Sequence, residues 1–164
     1  MTSSSEPWRA LLARHGPALV VFARQWASGH ADAEDALQDG FIRFLQARKR
    51  PEDEVAYLYA CVRSAAIDAA RTRDRRKRVD ERRAAPEPVF VDVPVQMELA
   101  ASVEAAMACL PGEQREVLVM KIWGELTFSQ IAVALATNPN TVASRYRYAI
   151  ERLEAMLADE VRHG

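Results

Sequence analysis

The chain has 164 residues, 49% of them hydrophobic, and 22 Lys and Arg against 23 Asp and Glu give a formal net charge of −1. That length suits one ordinary domain or two small helical ones, and the apolar fraction excludes wholesale disorder. No run approaches the ~18 uninterrupted apolar residues of a membrane span. The opening MTSSSEPWRA has neither the charged start nor the apolar stretch of a secretion signal, so a cytoplasmic chain without membrane insertion is expected.

Glycine is scarce and apolar residues recur at helical spacing, which predicts an all-α protein. A first helix is expected over Pro7–His15, interrupted by Gly16, with Pro17 opening a second through about Ala27. Asp32 reads as the N-cap of a third helix running to about Arg48, with Glu34 and Asp35 near its positive end. Ala33, Ala36, Leu37, Gly40, Phe41, Phe44 and Leu45 form its apolar stripe. Asp35, Gln38, Asp39, Ile42 and Gln46 fall on the opposite face. A charged loop from Arg48 to Glu54 leads into a helix that continues past Arg71, with Val55, Leu58, Tyr59, Val62, Ala66, Ala69 and Ala70 inward. Tyr57, Ser64 and Arg71 lie seven apart on its reverse side.

From Arg82 to Val95 the pattern dissolves, and Pro86, Pro88 and Pro94 forbid a continuous helix, so a linker between two domains is expected over residues 82–96. Residues 1–81 then make a helical bundle and residues 97–164 a second helical domain. Helices resume from Met97 to Cys109 and from Pro111 to Gly124. Thr127 and Gln130 form a capping box ahead of a short helix with Phe128, Ile131, Ala132 and Leu135 inward. A turn over Ala136–Pro139 follows, and Asn140 is placed to N-cap a last helix burying Val142, Tyr146, Ala149, Ile150, Leu153, Met156 and Leu157.

Short helix, tight turn and longer helix make a helix-turn-helix, whose second helix can enter the major groove and read base edges. The face left free carries Asn140, Thr141, Ser144, Arg147 and Tyr148. Arg145 lies nearer the core flank, where it grips a phosphate or pairs with an acid. A helical hairpin with a merely solvated polar face is the alternative.

Charge is segregated along the chain. Arg71, Arg73, Arg75, Arg76, Lys77 and Arg78 crowd one stretch, and Asp32, Glu34, Asp35 and Asp39 another, which suits two different partners. The basic run is either a solvated helix end or, with Arg48, Lys49 and Arg50 and the face of Tyr57 and Ser64, a single-strand binding surface of cations and a stacking ring. Ile42 between Asp35 and Asp39 is either a stray exposed aliphatic or the anchor of a protein contact. Cys61 and Cys109 read as buried free thiols, and His15, His30 and His163 have no metal-ligand spacing, so no metal or cofactor is expected.

In this order the segments resemble a known family. DAEDALQDGFIRFL (Asp32 to Leu45) looks like the polymerase-binding signature of the extracytoplasmic-function (ECF) sigma factors of bacterial RNA polymerase. YLYACVRSAAIDAARTRDRR resembles their promoter-melting helix, and LPGEQREVLVMKIWGELTFSQIAVALATNPNTVASRYRYAIERL their C-terminal helix-turn-helix. The resemblance implies that Asp32, Glu34, Asp35, Gln38, Asp39 and Ile42 face core polymerase. It implies that Arg48, Lys49, Arg50, Tyr57, Ser64, Arg71 and Arg75 meet the minus-ten promoter element. Asn140, Thr141, Ser144, Arg145, Arg147 and Tyr148 would meet the minus-thirty-five element, and an anti-sigma factor is a further candidate partner. The sequence departs from the family in having Tyr57 for a usual tryptophan, Ser64 for asparagine, Ala136 for the turn glycine, Ala143 for a frequent lysine and Tyr148 for a frequent arginine. Two rivals remain: a helix-turn-helix regulator that works without replacing the sigma subunit, and an enzyme acting on nucleic acid. The second needs a metal-holding acid cluster or a nucleophile with its base, and neither pattern is present, so no catalysis is expected.

Overall fold

A computed structural model describes residues 6–49, 51–80 and 103–163. They form seven helices: α1 (Glu6–Ala23), α2 (His30–Leu45), α3 (Glu54–Asp80), α4 (103–108), α5 (Gly112–Ile122), α6 (Phe128–Ala134) and α7 (Pro139–His163). No strand occurs among the described residues. The linker expected over 82–96, and the start of the helix expected from Met97, lie outside them.

The core is threaded by α3, which packs along α2 and α1 and also meets α6. Leu58, Tyr59 and Val62 on α3, with Leu19 and Phe22 on α1, are fully buried. Phe22 meets Tyr59 edge-on at 5.3 Å between ring centroids, a favourable arrangement of aromatic quadrupoles. In the C-terminal part, Val117, Leu118 and Met120 of α5, Ile131 of α6, and Val142 and Ala149 of α7 belong to the same buried cluster. Arg115 reaches back and donates three bonds, to the carbonyls of Met107, Ala108 and Leu110, capping the end of α4.

Five expectations change. The interruption at Gly16 is absent, and α1 runs unbroken with Pro17 inside it; burial of Leu19 and Phe22 offsets the one backbone bond that Pro17 cannot make. The N-cap of α2 is Gly29, and Asp32 lies in the first turn with its carboxylate engaged elsewhere. That helix ends at Leu45, which is 52% exposed and so falls off the expected apolar stripe. The cap of α7 is Asn138, whose Oδ1 accepts the Thr141 N–H at 2.9 Å; Pro139 takes the first helical position, where its missing N–H is harmless, and Asn140 stands one residue inside. Among the thiols, Cys61 is buried as expected, and burial pushes its pKa up, whereas Cys109 is exposed. Cys109 follows α4, whose inward side is taken by Ala106, Met107 and then Leu110.

Candidate nucleic-acid interface

The acidic surface rests on α2. Ala33, Ala36, Gly40 and Phe41 turn inward, so Glu34, Asp35, Gln38 and Asp39 turn out and are exposed. Ile42 is 51% exposed among them, an aliphatic side chain between carboxylates on one helix face. Glu34 pairs with His30 one turn earlier at 3.0 Å. Asp32 is committed inward. It accepts bonds from the Ser28 hydroxyl and backbone N–H and meets Arg73 Nη1 of α3 at 3.1 Å. The Ser28 bond foremost, and the Arg73 charge, hold its carboxyl below the usual range against an opposing effect of burial. Arg73 also donates to the Trp26 carbonyl. This pins it to the α1–α2 loop and removes it from the outward basic run.

The second surface follows α3. Tyr57 is half-buried, its ring tilted against Phe44 of α2 at 5.9 Å, so only part of it is open for stacking. Ser64 is exposed, but its hydroxyl accepts a bond from Arg43 Nη1 at 3.0 Å. The same guanidinium nitrogen donates to Asp68 Oδ2 at 2.9 Å. Sequence reasoning missed Arg43, a cation set on an otherwise acidic helix, yet α2 and α3 place it beside Ser64 on the α3 face. Arg71 and Arg75 are exposed and continue into Arg76, Lys77 and Arg78, all exposed. In the loop before α3, Arg48 and Lys49 are exposed, and Arg50 lies outside the described residues.

The third surface is the helix-turn-helix. The Thr127 hydroxyl accepts the Gln130 N–H at 3.1 Å while Gln130 Oε1 accepts the Thr127 N–H at 2.9 Å, closing the expected capping box. Phe128 packs on Tyr146 with centroids 5.5 Å apart, joining α6 to α7. The turn between them holds Ala136 at φ 51, a left-handed backbone conformation. On α7, Asn140, Arg147 and Tyr148 are exposed, while Thr141 and Ser144 are partly covered. Arg147 lies over the Tyr148 ring at 5.2 Å. Arg145 sits on the flank and meets Glu113 of α5 at 3.5 Å, an acid partner as one of its two expected uses.

The three surfaces are therefore separate: an acidic patch with an aliphatic centre, a basic strip beside a partly open ring, and a polar helix end. The scattered histidines stay apart, and among the described residues no group of acids, histidines and cysteines could hold a metal ion. None of the described helices is long and apolar enough to cross a membrane.

Comparison with known proteins follows the same division. Residues 11–76 match the Sigma-70 region 2 family and residues 100–153 match Sigma-70, region 4. An ECF RNA polymerase sigma factor, SigE of Mycolicibacterium smegmatis, is 26% identical over 162 residues, covering 92% of this chain. The chain spans 62% of the length of that relative. Among solved structures, the sigma factor RpoE of Bartonella quintana, captured with the anti-sigma factor NepR, superposes with a TM-score of 0.71 at 20% identity, over 93% of this chain and 98% of its own. CnrH, captured with the cytosolic domain of CnrY, gives a TM-score of 0.63 at 27% identity, over 92% of this chain and 86% of its own. Both halves match the same family in its own order, and the chain belongs to the ECF group of the sigma-70 family.

Proposed function

We propose that this protein is a sigma factor that binds bacterial core RNA polymerase and directs promoter-specific initiation, itself catalysing nothing. The observation that carries this reading is the α2 face, where Asp35, Asp39 and the half-exposed Ile42 stand together. Such a face repels DNA and suits a basic protein surface with an apolar pocket. A regulator that acts without polymerase has no use for it. Residues 1–81 form the polymerase-binding and minus-ten domain, 82–96 the linker, and 97–164 the minus-thirty-five domain.

Within this scheme Glu34, Asp35, Gln38, Asp39 and Ile42 make the polymerase contact, with Asp32 bracing the helix that presents them. Arg71 and Arg75 hold the DNA backbone beside Tyr57 and Ser64. The Arg48–Lys49–Arg50 loop meets the minus-ten strand, and Tyr57 catches an unstacked base on its open edge. Asn140, Thr141, Ser144, Arg147 and Tyr148 face the minus-thirty-five duplex, with Arg145 a phosphate contact only if it leaves Glu113. One solved relative was captured with an anti-sigma factor and the other with the cytosolic domain of a partner, which supports an anti-sigma factor as a third partner. The work would be done in the cytoplasm.

Co-purification with core polymerase tests the reading, comparing wild type with Asp35→Arg/Asp39→Arg. Wild type binds core and the charge-reversed protein does not. If both bind, the contact face is wrong. If wild type fails to bind core while shifting duplex DNA alone, the chain is a conventional regulator.

A further inference from the structure

One side chain of α2 carries the opposite charge to the acidic face beside it. Arg43 is the single arginine of α2, which has no lysine. Its Nη1 donates to Ser64 Oγ at 3.0 Å and to Asp68 Oδ2 at 2.9 Å, both on α3. Those two bonds use both hydrogens of that nitrogen and hold the planar guanidinium in one place. The Arg43 side chain is 41% exposed and that of Asp68 53%, so the pair stands open to solvent, where an ion pair adds little to stability. What the pair presents matters more than what it holds together.

Several polar groups remain unused. Among the described residues Arg43 Nε and Nη2 have no acceptor and Asp68 Oδ1 has no donor. The Ser64 oxygen already accepts from Arg43, so the guanidinium carries most of the spare donors on this stretch of the α3 face. Tyr57 lies two turns before Ser64, about 10 Å along the helix. Between them Cys61 is hydrogen-bonded to Tyr57 and lies close enough to Arg43 to feel its charge. A strand with one base stacked on the open edge of Tyr57 therefore brings a neighbouring base to Arg43 and Asp68.

We propose that Arg43 and Asp68 together read the edge of a cytosine in the unpaired minus-ten strand. The assignment rests on the sigma-factor reading above and adds a residue of α2 to the minus-ten contacts. A phosphate is a poor occupant, because the Asp68 carboxylate bonded to the same guanidinium repels it. An unpaired base instead offers its Watson–Crick edge. Cytosine presents an amino donor followed by two acceptors, N3 and O2. Asp68 Oδ1 complements the amino group, and the neighbouring Nη2 and Nε donors complement the two acceptors. Thymine places its N3–H between two carbonyls, an order that donors held side by side do not match. Guanine sets two donor groups against one free carboxylate oxygen, and adenine leaves an Arg43 donor unused. Each mismatch strands a polar group in the contact, and that is the source of discrimination.

Selection from a library tests this. A DNA duplex with a short, unpaired and randomised stretch in one strand is presented to holoenzyme assembled from bacterial core polymerase and the full chain, as wild type, Arg43→Met, Arg43→Lys or Asp68→Ala. Wild type enriches cytosine at one position. Arg43→Met lowers that preference about tenfold, the discrimination of one two-point base contact, and leaves the other positions, core affinity and helical content unchanged. Arg43→Lys keeps the charge without the fork, so it retains overall affinity and loses the cytosine preference. Asp68→Ala admits thymine beside cytosine. No cytosine preference in wild type, or one that survives Arg43→Met, overturns the proposal. A uniform loss at every position in Arg43→Met marks a phosphate contact or a structural brace and overturns it as well. If wild type does not bind core, the sigma-factor reading fails. The same library, given as single strands to the chain alone, then decides whether a cytosine preference depends on Arg43, and its absence overturns the proposal separately.

Discussion

Gly40 and Val62 bring α2 and α3 closer than a side chain permits: a Cβ on Gly40 would stand 2.5 Å from the Val62 Cα and 2.7 Å from its Cγ2. Backbone on one side cannot rotate away, so one helix must move. Gly40→Ala is expected to destabilise by about 1–3 kcal/mol through overpacking, even though alanine favours helix by about 1 kcal/mol. Urea denaturation followed by circular dichroism reads the difference. A variant at least as stable as wild type would mean that the two helices do not approach this closely.

Tyr59→Phe is expected to raise stability by about 1 kcal/mol. It removes a buried hydroxyl that bonds to nothing among the described residues while keeping the ring against Phe22. The same denaturation midpoint should rise. A fall would reveal a hydrogen bond that the hydroxyl makes through bound water.

Ala136 occupies φ 51 in the turn of the helix-turn-helix, where a Cβ crowds the following carbonyl. Ala136→Gly relieves that crowding at some expense in unfolded-chain entropy, for a net gain of about 0.5–1 kcal/mol. Thermal melting should show a higher midpoint with no change in the α6–α7 geometry. A lower midpoint would mean that the turn is not left-handed.

Asp32 supplies an acid-dependent contribution. Its folded pKa is held below the ordinary carboxylate value of about 4, first by the Ser28 bond and then by Arg73. A depressed carboxylate stabilises fully above its unfolded pKa and loses that contribution as pH falls through the folded value. Melting wild type and Asp32→Asn in parallel should show a stability gap at pH 6 that closes below about pH 3. A gap independent of pH would assign the effect of Asn to packing or hydrogen bonding rather than charge.

The helices of both halves were legible because each buries one stripe, and a stripe is a local property of sequence. The inward set Ala33, Ala36, Gly40 and Phe41 leaves Asp35, Gln38, Asp39 and Ile42 outside by geometry alone. The Thr127–Gln130 box is equally local, since its two bonds join residues three apart. The Asn138 cap is also local, since Asn followed by Pro carries its own signal, but the expected turn over Ala136–Pro139 hides it.

Composition, periodicity and capping chemistry thus determined an all-helical chain, its two-part organisation, the helix-turn-helix and the acidic face. Tertiary structure decided which charges are free. Arg73 is turned inward to Asp32, Arg43 is brought to Ser64 and Asp68, and Arg145 is given to Glu113. It also decided that Arg63 and Glu116, 53 residues apart, meet at the boundary of the halves. Backbone pattern fixes the direction in which a side chain leaves its own helix. The partner it finds depends on which other helix arrives there, and that is set by the packing of the whole chain.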